Sequence, residues 1–352
     1  MRLGSPRPPL AAEPLDGRPT ERQLQPKEAP AVSPSETKSV LTVSLLAAFA
    51  DGGKHDRERA EIKRIAEGLS QADAVHLPSL YQDVLMKRVS LASAAQGLAS
   101  LEAKQLAYEM AVCVCDADGV QSVPEQEFLA QLHSVLGLDA GAAGQFTRDA
   151  EAIAAAPLTN ANVPSDIGVA RTAGSGPADP ALDAQLDERI LNAAITNGAL
   201  ELLPETLSTM AIIPLQMKLV FGIGKAYGYE LDRGHIKDFL ATVGVGLTSQ
   251  YLEQAGRKLL GGLLGSVGGG LLRGLGKQAV SSGMSFAATY ALGQVAKRYY
   301  AGGRTLSTEM LRDTYAAVIQ DAQGLQGRYL PAIQEKARTL DTGKVLAMVR
   351  GA

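Results

Sequence analysis

The stretch LLGGLLGSVGGGLLRGLG, residues 259–276, sets the tightest limit on what this chain can fold into. Eight of its eighteen positions are glycine, and each glycine costs about 1 kcal/mol of helix propensity relative to alanine. A helix here must recover about 8 kcal/mol from its surroundings, so it does not stand alone in water. The spacing shows what recovers it. Leu259, Leu263, Val267, Leu271 and Leu275 recur every fourth residue. Beside them runs a ladder of Gly261, Gly265 and Gly269, and a second of Gly262, Ser266, Gly270 and Gly274. Small residues at four-residue intervals let two helix backbones approach closely. A close helix contact through Gly261, Gly265, Gly269 and Gly270 is therefore expected.

Phosphate-binding readings of the glycines fail on the residues. Gly276-Lys277 is followed by Gln278 and has Leu271 where the first glycine of a P-loop belongs; Gly224-Lys225 is followed by Ala226 and has Leu219 there. Gly222-Ile223-Gly224 has Tyr227 where a dinucleotide fingerprint needs its third glycine. The membrane reading stays open. Between Lys258 and Arg273 lie 14 uncharged residues, about 21 Å of helix, where a span needs about 20 residues. Residues 278–296 are uncharged but rather polar, and residues 239–252 are again only 14 long. These segments suit a glycine-packed hairpin, either buried in protein or entering a membrane. Membrane association is the preferred setting.

Composition supports helices. The chain has 352 residues, 46% hydrophobic and 20% charged, with no Trp, six Phe and ten Tyr. Plentiful Ala and Leu favour helix, and strands would need more β-branched and aromatic residues. No alternating strand pattern is apparent, so the fold class is all-α. A net charge of -3 argues against a nucleic-acid partner. The two cysteines, Cys113 and Cys115, would point apart on a helix and read as reduced thiols of the cytoplasm. No nucleophile–base pair, carboxylate pair or thiol–His motif is apparent, so a non-catalytic protein is expected.

Five segments are expected: a disordered Pro-rich tail at 1–38, a helical domain at 39–138, a linker at 139–185, a glycine-rich helical domain at 186–325, and a helical tail at 326–352. Within the first domain a helix, acidic turn and helix occur twice. Asp51-Gly52 aligns with Asp118-Gly119, and seven residues after each Asp stands a Glu, Glu58 and Glu125. A turn Asp and a Glu in the next helix's first turn can aim oxygens at one point, which suits a hard cation such as Ca²⁺ or Mg²⁺, with Asp116 as a further donor. The same residues also serve as a turn pair and as helix-dipole partners. An EF-hand is excluded: Asp116, Asp118 and Glu127 fit loop positions one, three and twelve, but Gln121 stands where glycine is required. His55 and His133 lack partners at ligand spacing.

Two resemblances follow from these residues. AAFADGGKHDRERAEIKRIAEGL and CDADGVQSVPEQEFLAQLHSVLGL resemble the TerB-like family of tellurite-resistance and stress-response domains. That resemblance implies an all-helical pseudo-repeat and a divalent metal held through paired acidic turns, here Asp51, Glu58, Asp118 and Glu125. AIIPLQMKLVFGIGKAYGYELDRGHIKDFLATVGVGL and SGMSFAATYALGQVAKRYYAGG, within about 205–320, resemble the YcjF-type proteins of the bacterial inner membrane. This second resemblance implies peripheral or integral membrane location and a GTPase partner. The expected function is a metal-responsive stress or envelope module tethered to a membrane-associating domain. A soluble, self-associating scaffold that forms homo-oligomers, and a regulatory subunit of a hydrolase, are the alternatives.

Overall fold

A computed structural model of the chain describes residues 32–52, 63, 76–117, 119–156, 158, 180–203, 206–245, 251–253 and 276–350. Its regular structure is helical throughout, so the protein is all-α. The chain divides into Met1–Pro30, which lies outside the described residues, and Ala31–Ala352. The expected glycine ladder of Gly261, Gly265, Gly269 and Gly270 lies outside the described residues, as does Glu58.

Helix α1 (Pro34–Ala48) begins inside the segment expected to be a disordered tail, because Ser33-Pro34-Ser35-Glu36 is itself a helix start. The Ser33 side chain accepts from the Glu36 N–H, and Glu36 Oε2 accepts from the Ser33 N–H at 3.0 Å. Pro34 sits in the first turn, where a missing N–H has no cost. After α2 (Leu77–Leu85) and α3 (Leu91–Gln96) comes α4 (Leu101–Cys115), which lies against α1. Ala103, Ala107 and Ala111 on α4 are fully buried and let α1 approach with its own buried Val40 and Val43. Cys113 and Cys115 are buried free thiols of α4.

Helices α5 (Val123–Leu136) and α6 (Ala140–Ala154) follow. Residues 140–154 fall in the expected linker, yet they form about four turns of helix. Asp139 Oδ1 accepts from the Ala142 N–H at 2.8 Å, and Ala143, Ala150 and Ile153 make a buried stripe. Glycines at 141 and 144 hid this periodicity.

The remaining helices are α7 (Pro180–Leu202), α8 (Thr206–Met210), α9 (Ile212–Ala226), α10 (Arg233–Val243), α11 (Gly276–Ala301), α12 (Thr308–Thr339) and α13 (Thr342–Arg350). α11 packs along both α7 and α12. Gly293 makes the α7 approach possible: a Cβ there would fall 2.7 Å from both γ-carbons of the fully buried Ile190. Lys297 of α11 then pins the pair, reaching Asp183 at 3.1 Å and Asp187 at 2.6 Å. Burial works against the Asp187 charge, but the Lys297 ammonium and Gln294 outweigh it and hold the carboxyl below its usual range.

The helices on either side of residues 159–179 share one hydrophobic core, running from Val40 to Val349. Thr206 Oγ1 of α8 donates to Glu109 Oε2 of α4 at 2.5 Å. The Lys218 ammonium of α9 donates to the Val349 carbonyl in the last turn of α13, where the helix dipole favours a cation. One described stretch, Thr206–Ala226, is long and apolar enough to cross a membrane, with a mean hydropathy of 1.5, but 94% of that window is buried inside the protein. Its apolar surface is already covered by other helices.

Candidate functional site

The acidic turn after α4 lies where the two helical regions meet. Helix α4 ends as Asp116 leaves helical geometry, and Gly119 closes the turn by donating to the Asp116 carbonyl at 2.9 Å. Gly119 has φ +90, a conformation that L side chains rarely adopt. Ser122 then caps α5: its N–H donates to Glu125 Oε2 at 2.7 Å, and the Glu125 N–H donates back to Ser122 Oγ at 3.4 Å. This capping box satisfies two donors at the helix start.

The first turn repeats the second. α1 and α4 have equal lengths, are displaced by 67 residues, and are each capped by a serine, Ser33 and Ser100. Gly52 has φ +86, and it donates to the Phe49 carbonyl as Gly119 does to that of Asp116. Asp51 is exposed in its turn. The helix-and-turn part of the expected repeat is thus present in the backbone, while the helix expected after the first turn, from about residue 57, lies outside the described residues apart from residue 63. Glu36 even joins its two copies, because Glu36 Oε1 accepts from the Ser100 N–H at 2.8 Å.

The donors expected to hold a cation can be placed in part. Asp116 is buried, and its Oδ1 accepts from Gln121 Nε2 at 3.0 Å. Glu125 is half-buried and directs one oxygen to its own helix start. Asp118, like Glu58, lies outside the described residues. Among the described residues no group of three or more His, Cys, Asp or Glu side chains gathers. Asp116 instead lines a cavity of about 10 Å³ together with Arg233, Lys237, Tyr251 and Met217. That volume holds about one water, whereas Ca²⁺ takes six to eight oxygens and Mg²⁺ keeps several waters. Among the described residues the expected donors Asp51, Asp116 and Glu125 do not gather into such a shell, while Asp118 and Glu58 lie outside the described residues.

Arg233 and Tyr251 are the residues that sequence reasoning missed. Arg233 Nη1 donates to the Ala154 carbonyl at 2.6 Å and Nη2 to the Ala156 carbonyl at 2.7 Å. It thereby serves the unpaired carbonyl end of α6, a position that favours a cation. Tyr251 is fully buried; desolvation first, and then the nearby Cys113 and Asp116, push its hydroxyl well above the usual range, so it stays a donor. Only Asp232, the N-cap of α10, signalled that a helix begins at Arg233.

Elsewhere, the Lys297-Arg298-Tyr299-Tyr300 run puts its two rings beside Phe239, at 5.3 and 6.0 Å between centroids. They border a cavity of about 130 Å³ that Arg304 and Asp238 also line. His133, half-buried, packs edge-on against the buried Tyr108 at 5.7 Å.

An all-helical module with a doubled Asp-Gly turn is thus in place in the first helical region. Residues 37–147 match the family model described as tellurite resistance protein TerB, and the chain carries a TerB domain there. Comparisons with curated proteins and with solved structures give no match.

Proposed function

We propose that the chain is a non-catalytic stress-response protein of the tellurite-resistance type, whose later helices form a fixed body for its TerB domain. The single observation that carries this reading is the coincidence of the TerB match at 37–147 with the α1/α4 repeat. The packing of α8 against both α4 and α6 supports a rigid joint over a loose tether. Expression of the full chain in a tellurite-sensitive bacterium tests it. The tolerated tellurite concentration should rise, and should fall back when α4 is disrupted by Ala111→Asp. No gain from the intact chain would remove the reading.

A second reading places the chain at the inner membrane beside a GTPase partner. It is supported by the apolar length of Thr206–Ala226. Flotation of the purified chain with phosphatidylethanolamine–phosphatidylglycerol vesicles tests it, since a chain that stays in the dense fraction has no lipid-facing helix.

A further inference from the structure

We propose that the turn between α4 and α5 is a clasp for the chain's own Arg233, a guanidinium that stands where a divalent cation would otherwise be sought and that locks the TerB domain to α10. Three observations meet at this point. Arg233 bridges two carbonyls, Ala154 and Ala156, at the end of α6. Its two terminal nitrogens are spread as a planar fork that a lysine or a bound metal ion does not reproduce.

The second observation is the glycine. A Cβ at Gly119 would lie 2.6 Å from Arg233 Nη1 and 3.2 Å from the Ala154 carbonyl oxygen. At Gly52, its counterpart in the first turn, a Cβ would meet nothing within 4 Å among the described residues. The two turns share a backbone conformation, yet among the described residues only the second is filled. Gly119 therefore has two roles: it permits the left-handed turn and leaves room for the guanidinium.

The third is charge and volume. The buried Asp116 carboxylate shares its cavity with Arg233 and with Lys237, one turn further along α10. Two cations beside a space of about 10 Å³ repel a third and leave no room for its water. The asymmetry between the turns is thus built by α10, an element outside the TerB match.

The test uses the full chain, wild type and Arg233→Ala, with Arg233→Lys as a second variant that keeps the charge. Hydrogen exchange at the amides of residues 119–122 and 151–156 is measured, with calorimetric titration of CaCl₂ and MgCl₂ separately. Wild type should give no Asp116-dependent heat with either ion. In Arg233→Ala the amides should exchange at least tenfold faster, and Arg233→Lys should recover part of the protection. If Arg233→Ala does not fold, faster exchange in Arg233→Lys at the same amides carries the same meaning. Unchanged exchange in a folded variant overturns the clasp. So does uptake of Ca²⁺ or Mg²⁺ by wild type that Asp116→Asn abolishes.

Discussion

The Tyr251 hydroxyl donates to the Met210 carbonyl at 3.0 Å. In a continuous helix that carbonyl would accept from residue 214, which is a proline and has no N–H. Tyr251 therefore supplies, from a distant part of the chain, the bond that Pro214 cannot. The joint between α8 and α9 is completed by this one side chain. Tyr251→Phe should cost about 1–3 kcal/mol, since it leaves a buried carbonyl unpaired. Pro214→Ala, which restores the N–H, should recover part of that loss when combined with it. Urea unfolding of the two single variants and the pair measures this; equal stability of wild type and Tyr251→Phe would show that another donor serves Met210.

Glu36 gives the fold an acid limit. The Ser100 N–H, and then the Ser33 N–H, hold its carboxyl down at about 2, against an ordinary value of 4.5. A depressed folded value stabilises the ionised form, so the contribution is complete above about 4.5 and fades as pH falls from there toward 2. Unfolding free energy followed from pH 6 down should therefore drop more steeply in wild type than in Glu36→Gln. Parallel curves would mean that Glu36 is equally protonated in both states.

Gly293 and Ile190 test the close approach of α11 to α7. Alanine at 293 gains about 1 kcal/mol of helix propensity, but its Cβ would press on a branched side chain that has nowhere to move. A net loss of about 1–3 kcal/mol is expected. Ile190→Val, by removing a methyl group, should make Gly293→Ala less costly in the double variant. A Gly293→Ala protein that melts higher than wild type would place propensity above packing here.

The two glycine turns provide an internal control for the Arg233 contact. Gly52→Ala meets open space among the described residues, so the left-handed backbone is the cost that should matter, at about 1–2 kcal/mol. Gly119→Ala carries the same backbone cost and must also displace the guanidinium, adding about 1–3 kcal/mol by overpacking. Thermal unfolding of both variants separates the two contributions; equal losses would mean that Arg233 moves aside freely.

Local chemistry made much of the TerB domain legible before any tertiary structure. The Ser33/Glu36 and Ser122/Glu125 capping boxes, and the Asp-Gly pairs that stop α1 and then α4, act over three or four residues. Residue type alone encodes interactions of that range. The all-α class followed from the Ala- and Leu-rich composition and the doubled turn from the Asp-Gly and Glu spacing, whereas the Ser33/Glu36 box lay in a stretch expected to be a disordered tail. Helix α6 was hidden because alanine and glycine carry a weak hydrophobic period, although Asp139 marked its start.

Tertiary structure decided what each of these pieces meets. Arg233 reaches the Asp116 turn, Tyr251 reaches Met210, and Ile190 reaches Gly293 only after helices far apart in sequence have packed. The same packing covers Thr206–Ala226, whose apolar length suits a membrane as well as a core. A glycine in a helix permits close approach without naming the neighbour, and a carboxylate in a turn accepts a metal ion or a guanidinium equally well. Which partner arrives depends on how the buried faces of all the helices fit together at once. No single segment of the sequence carries that information.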